Sequence, residues 1–301
     1  MPLARKPVVA LALGSGAARG WAHLGVIKSL EQAGLRPDIV CGTSIGALVA
    51  AAYASDDIDR FEGWVRHLKM RDVLSLLDIH LNGGMLKGER LMAFFQRHFM
   101  DRPIEALHPP FAAVATDLHT GQEVWLKEGS TASAVRASIA LPGLFSPVWA
   151  HGRLLADGGL VNPVPVSLAR AMGADIVVAV DLNSDILGRH LEAPARQEVG
   201  SSVGSAWRQH VPEALAALLP AGAPDNERMP SLIDIVSTSI NIMQVRITRS
   251  RMAGDPADVV ITPELATLGL LDFHKADLAI EAGKRAAKAA RPALQRLGLM
   301  A

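Results

Sequence analysis

Residues 39–51 read "IVCGTSIGALVAA": an apolar run, one small polar interruption, and a second apolar run. The first half, with Ile39 and Val40, has the composition of a short buried strand, and the small residues after Gly46 continue as a helix. At the junction stands Gly42-Thr43-Ser44-Ile45-Gly46, a Gly-x-Ser-x-Gly pattern. A tight strand-to-helix turn needs little side-chain bulk, and it would push the Ser44 hydroxyl out at the sheet's carboxyl edge, beside the unpaired amides of a helix start. Taken alone, the pentapeptide fits two roles equally: a nucleophile, or a serine that caps the helix.

The stretch before it repeats the pattern. Val8 to Leu13 is an apolar run of strand length, "GSGAARG" (14–20) is a glycine-rich turn, and Trp21, Leu24, Ile27 and Leu30 then recur at helical spacing until Gly34 supplies a stop. Strand, helix, strand, helix with short turns predicts an α/β fold with a mainly parallel central sheet covered on both faces. Downstream, 56–110 reads as mainly helical, broken by a loop at "NGGMLKGER" before Leu91, Phe94, Phe95 and Phe99. Strands are expected at 111–118 and 123–127, a helix at 130–140, a hairpin over "VWAHGRLLADGG", a helix start at "NPVPVSLARAMG", and a buried strand at 175–182. Residues 183–230 read as an insertion around an amphipathic piece carrying Trp207, one that could act as a lid or touch a bilayer. A longer helix follows over 231–252, with Ile233, Val236, Ile240, Met243 and Ile247 expected to face the core, or else a partner or membrane. A strand at "DVVITP" and a helix from about 274 close the chain. The whole is expected to be one domain, 1–301, with a core at 8–182 and a helical completion at 231–301.

Composition narrows the function classes. The 301 residues are 50% hydrophobic, and 30 Lys plus Arg balance 30 Asp plus Glu. Zero formal charge argues against nucleic acid as a partner. Apolar stretches are interrupted within the roughly 20 residues needed to span a bilayer, and the single Cys41 reads as a small buried apolar residue. A cytoplasmic protein is expected, with peripheral contact to the inner membrane and oligomer formation left open.

Two further segments bear on Ser44. The turn 14–20 fails the dinucleotide fingerprint, because position 19 is arginine and the third glycine is Gly20, and no Gly-Lys-Ser/Thr follows it. Its amides, from Gly14, Ser15, Gly16 and Ala17, could hold a phosphate or an oxyanion; beside a serine nucleophile the oxyanion suits better, with Gly16 and Ala17 as preferred donors. Arg19 either orients that loop or touches substrate. A serine also needs a base. His274 begins a charged terminal helix, and His23 reads as a partly buried surface residue. Asp157, ending an apolar run before Gly158 and Gly159, is either an Asp-Gly turn residue or a desolvated carboxylate able to take the proton.

In these three places together the sequence resembles the patatin-like phospholipase family, and more closely its bacterial branch related to neuropathy target esterase. "GSGAARG", "GTSIG" and "DGG" match the family's oxyanion loop, nucleophile elbow and acid turn in order and spacing, over roughly residues 8–182. The resemblance implies a three-layer α/β/α fold and a Ser44–Asp157 dyad without histidine. It further implies amides around Gly16 and Ala17 for the oxyanion, with Gly42, Gly46, Gly158 and Arg19 in support, and hydrolysis of acyl esters in phospholipids, lysophospholipids or related lipids. The family's loop often has three successive glycines; Ser15 replaces the middle one. No cofactor or metal is implied, and the sequence has no His-Glu-x-x-His, Cys-x-x-Cys pair or EF-hand loop. Rival readings are a nucleotide-dependent enzyme and a non-catalytic lipid-binding or regulatory protein on the same scaffold.

Overall fold

The computed structural model describes residues 5–72, 102–142, 144–150, 152–184 and 232–300. Expectations for 73–101 and for the insertion with Trp207 lie outside the described residues. Eight strands form one sheet: β1 Val9–Leu13, β2 Ile39–Thr43, β3 Phe111–Asp117, β4 Glu123–Leu126, β5 Val148–Ala150, β6 Arg153–Asp157, β7 Ile176–Val180 and β8 Val259–Ile261. The order is β5-β6-β3-β2-β1-β7-β8, with β4 also paired to β3. From β3 to β8 every pairing is parallel; the β3–β4, β3–β6 and β5–β6 pairings are antiparallel.

Helices cover both faces, as alternation along the strands requires. Leu11 and Leu13 point into one core, where α1 (Ala22–Gln32), α2 (Ile45–Ala54), α3 (Ile58–Arg66), α4 (Thr131–Ser138) and α7 (Ala276–Arg296) pack. Ala10 and Ala12 point into the other, beneath α5 (Val166–Ala171), with Met252 of α6 (Leu232–Gly254) against it. This is the expected three-layer α/β/α arrangement around a mainly parallel sheet.

One feature of the register decides where the chain's polar residues meet. Ala113 pairs with Gly42 of β2 and with Leu126 of β4, whereas Ala115 pairs with Asp157 of β6 and with Val124 of β4. A strand has two edges. Thus β4 fills one edge of β3, and β2 and β6 share the other, end to end. Strand β2 leaves that edge after Thr43, opposite Val114, and β6 arrives on it at Asp157, opposite Ala115.

The helix α6 corrects an expectation. Of the predicted apolar stripe, the Ile233 and Val236 side chains lie outside the described residues; Ile240 is buried, Ile247 half-buried and Met243 exposed, while Asn241, Gln244 and Thr248 are buried as well. Beside Ile240 and Val245, α6 buries these polar groups because the glycine-rich loop and Arg19 that they meet are polar.

On the opposite face, α1 and α7 touch through glycines. A Cβ on Gly25 would fall on the carbonyl oxygen of Ile280, and one on Gly283 on that of Ala22. Backbone cannot give way as a side-chain tip can, so Gly25→Ala should destabilise the fold by about 1–3 kcal/mol. Urea unfolding measures this, and a midpoint equal to the wild type would refute the contact.

Candidate functional site

Ser44 follows β2 directly and precedes α2 with φ 57° and ψ −127°, a pair that L-residues rarely adopt. The flanking glycines permit it. A Cβ on Gly42 would strike the backbone of Gly46 and Ala47, and one on Gly46 would strike the carbonyl oxygens of Leu13 and Gly14. The turn is therefore closed on itself and pressed against the glycine-rich loop. Its amide donates to Ser138 Oγ at 2.9 Å, and Ser138 Oγ donates in turn to the Val114 carbonyl at 2.6 Å. Thr43 Oγ1 donates to the Asn162 carbonyl at 2.8 Å, tying the elbow to the loop that follows Asp157.

Because β2 and β6 meet on one edge of β3, Ser44 arrives beside Asp157. Ser44 Oγ donates to Asp157 Oδ2 at 2.5 Å, and Gly159 N donates to Oδ1 at 2.7 Å. The Asp157 backbone is held on both sides, its amide donating to the Ala140 carbonyl at 3.0 Å and its carbonyl accepting from Thr116 Oγ1 at 2.7 Å. Gly158 makes the close approach possible, since a Cβ there would strike the Val114 carbonyl. Asp157 is wholly buried; Ser44 retains 9% exposure. Burial pushes the Asp157 carboxyl up from 3.8 to about 7, against the lowering effect of the Ser44 and Gly159 hydrogen bonds.

The glycine-rich loop lies beside this pair. Gly14 N donates to the Val180 carbonyl at 3.0 Å and Ser15 N to the Pro163 carbonyl at 2.8 Å, so those two amides are engaged. Gly16 N and Ala17 N have no hydrogen-bond acceptor among the described residues. They open a 3-10 turn, Ala17–Trp21, whose first residue has φ 49°. Of the four loop amides expected as oxyanion donors, only these two remain available. Ser15 turns its side chain away into a buried network, where its hydroxyl donates to Gln244 Oε1 at 3.1 Å and its carbonyl accepts from Asn183 Nδ2 at 3.1 Å.

Arg19 is buried behind the loop. Its Nε donates to the Gly16 carbonyl at 3.2 Å and its Nη2 to Asn241 Oδ1 at 3.0 Å. Burial lowers the guanidinium to about 10, opposed by nearby Asp181, and it stays charged at neutral pH. Of the two roles weighed for it, these contacts favour orientation of the loop.

His23 corrects the expectation of a surface residue. It is fully buried, and its ring Nε2 lies 2.8 Å from the Gly14 carbonyl. An oxygen acceptor there requires the proton on Nε2. Burial lowers this imidazole to about 4. It is neutral at pH 7 and braces the loop. Sequence reasoning also missed Ser138, Asn162, Asn183 and the polar face of α6. Only the last left a signal, a polar repeat of three and four residues competing with the aliphatic one.

The family model described as patatin-like phospholipase matches residues 11–170, more than half of the chain. An NTE family protein of Mycobacterium tuberculosis is 34% identical over 339 aligned positions, covering 96% of this chain and 92% of that protein. The human patatin-like phospholipase domain-containing protein 6 is 39% identical over 185 positions, which cover 58% of this chain and 13% of that one. Among solved structures, VipD from Legionella pneumophila is similar with a TM-score of 0.44 at 15% identity, over 95% of this chain and 66% of that one.

The raised Asp157 carboxyl carries a stability consequence. In the unfolded chain it ionises near 3.8, in the folded protein near 7. Between those values the unfolded state binds fewer protons, so the group costs stability that is absent below pH 4 and complete above pH 7. Asp157→Asn removes the cost. The variant's stability relative to wild type should rise by a few kcal/mol between pH 4 and pH 8, measured by urea unfolding at each pH; a flat difference would contradict the buried carboxylate.

Proposed function

This chain belongs to the patatin-like phospholipase family and is a lipid hydrolase, and from that premise we propose that it cleaves acyl esters with Ser44 as nucleophile and Asp157 as base. The observation that carries the reading is the 2.5 Å hydrogen bond from Ser44 Oγ to a buried carboxylate that ionises near 7. A base of that pKa is half available at neutral pH and strong enough to accept a proton in the transition state.

In the first step Asp157 Oδ2 takes the hydroxyl proton while Ser44 Oγ attacks the ester carbonyl carbon. The tetrahedral oxyanion is stabilised by the amides of Gly16 and Ala17, and Arg19 and His23 hold the loop that carries them. Collapse expels the alcohol, which leaves with the proton from Asp157, and an acyl-serine remains. Water then gives its proton to Asp157 and attacks the acyl carbon; the fatty acid departs and Ser44 recovers its proton. The substrate class is a phospholipid, lysophospholipid or related lipid ester. Among the described residues no helix is long and apolar enough to cross a membrane.

A fluorophosphonate probe tests this directly. The wild type should be labelled at Ser44, while Ser44→Ala and Asp157→Asn should remain folded and lose labelling, with hydrolysis falling by about a thousandfold or more. Labelling at another residue would remove Ser44 as the nucleophile, and lipid-linked function that survives Ser44→Ala would favour the non-catalytic alternative.

The acid limb of the rate profile should follow Asp157. Hydrolysis of a soluble ester should rise as pH passes through about 7, with one ionisation, because only the carboxylate accepts the Ser44 proton. A rate independent of pH from 5 to 8 would exclude Asp157 as base.

A further inference from the structure

Four polar side chains stand at three- and four-residue spacing along α6: Asn241, Gln244, Thr248 and Arg251. Such spacing puts them on one helix face. That face meets the loops carrying the dyad and the oxyanion donors. Asn241 holds Arg19, and Arg251 Nε donates to the Val161 carbonyl at 2.7 Å while its Nη2 pairs with Glu123 at 2.8 Å. Gln244 stands between these contacts. Its Oε1 accepts from Ser15 Oγ at 3.1 Å and from Asn183 Nδ2 at 3.3 Å. A Cβ built on Gly159 would lie 2.5 Å from its Nε2, so its amide packs on the residue whose own N–H holds Asp157. One buried side chain thus touches both the glycine-rich loop and the acid's turn.

We propose that Gln244 is a positioning residue that fixes the oxyanion loop relative to Asp157, acting through Ser15. The loop offers little else to grip. Gly14 and Gly16 have no side chain and Ala17 has a methyl, so the Ser15 hydroxyl is the polar handle within residues 14–17. With the Ser15 amide and carbonyl also bonded, Gln244 adds a third restraint immediately before Gly16, whose unengaged amide is one of the two assigned above to the oxyanion. Oxyanion stabilisation depends on donors held in place before reaction, and small displacements are costly. Residue 15, a departure from the glycine its family often has, is therefore matched to a partner on α6.

This inference rests on the Ser44–Asp157 reading and is tested by a double-mutant cycle. Gln244→Met keeps the side chain's length and volume without its acceptor; Ser15→Gly removes the handle. Each variant is assayed for kcat and KM on a p-nitrophenyl ester, for inhibition by a trifluoromethyl ketone that adds Ser44 and presents an oxyanion, and for melting temperature. Gln244→Met should lower kcat about tenfold with KM within about twofold, and weaken the ketone by a similar factor. On the Ser15→Gly background the same substitution should cost less than about threefold. Effects that multiply across the cycle, or a lowered melting temperature with kcat unchanged, would overturn the proposal. Should Gln244→Met fail to fold, Ser15→Ala and Ser15→Gly read the contact from the loop's side; undiminished kcat in both defeats it. Failure of the wild type to label at Ser44 defeats the dyad itself, whereas a labelled wild type with undiminished Gln244→Met turnover defeats only this role.

Discussion

Two strands meeting end to end on one edge of β3 are the constraint on which the site depends. Ser44 and Asp157 are 113 positions apart in sequence, yet their separation is set by backbone pairing: Thr43 lies opposite Val114 and Asp157 opposite the next residue, Ala115. Slippage of β6 by one residue would send Asp157 to the other face of the sheet. The surrounding bonds guard that register. Thr116 and Ala140 grip the Asp157 backbone, and Ser138 bridges the Ser44 amide to the Val114 carbonyl. Strain at Ser44 can persist because glycine packing on both sides leaves its turn no room to relax.

The same burial that fixes the geometry sets the chemistry. Two of the buried aspartates at strand ends, Asp157 on β6 and Asp181 just beyond β7, are pushed up by burial, and their surroundings differ. The desolvation of Asp181 is offset by the Asn183 amide and by the nearby Arg249 and Arg19, while Asp157 is offset by the Ser44 hydroxyl and the Gly159 amide alone. A carboxylate relieved only by neutral donors lacks the cation that favours its charged form, which suits a proton acceptor. The nearby imidazole of His23 takes no part in this balance, because its proton is committed to the Gly14 carbonyl.

Much of this was legible in the sequence where local pattern and tertiary context agree. The strand–turn–helix units around "GSGAARG" and "GTSIG", the 3–4 strand pair and the hairpin ending at Asp157 all carry period, glycine and turn signals that survive folding. The resemblance then indicated which turns belong together. What the sequence could not show was the sharing of one β3 edge, which is a property of sheet order. His23 misled because a histidine four residues from Ile27 looks the same whether its neighbours are water or a loop carbonyl. The α6 stripe misled for a related reason: hydrophobic period predicts burial only when the surface opposite is apolar.

A helix that buries amides where aliphatic residues were available needs a physical reason, because an unsatisfied buried amide costs more than a buried methylene gains. The reason lies in the carboxyl edge of a parallel sheet. There every strand ends in a loop, and each loop leaves carbonyls and hydroxyls that the ladder does not pair. An apolar helix over such an edge would strand them. Helix α6 answers with matched groups: Arg251 for the Val161 carbonyl, Asn241 for Arg19, Gln244 for the Ser15 hydroxyl and Asn183. Closing the core on this side and holding the loops of the site are therefore one requirement, met by one face of one helix.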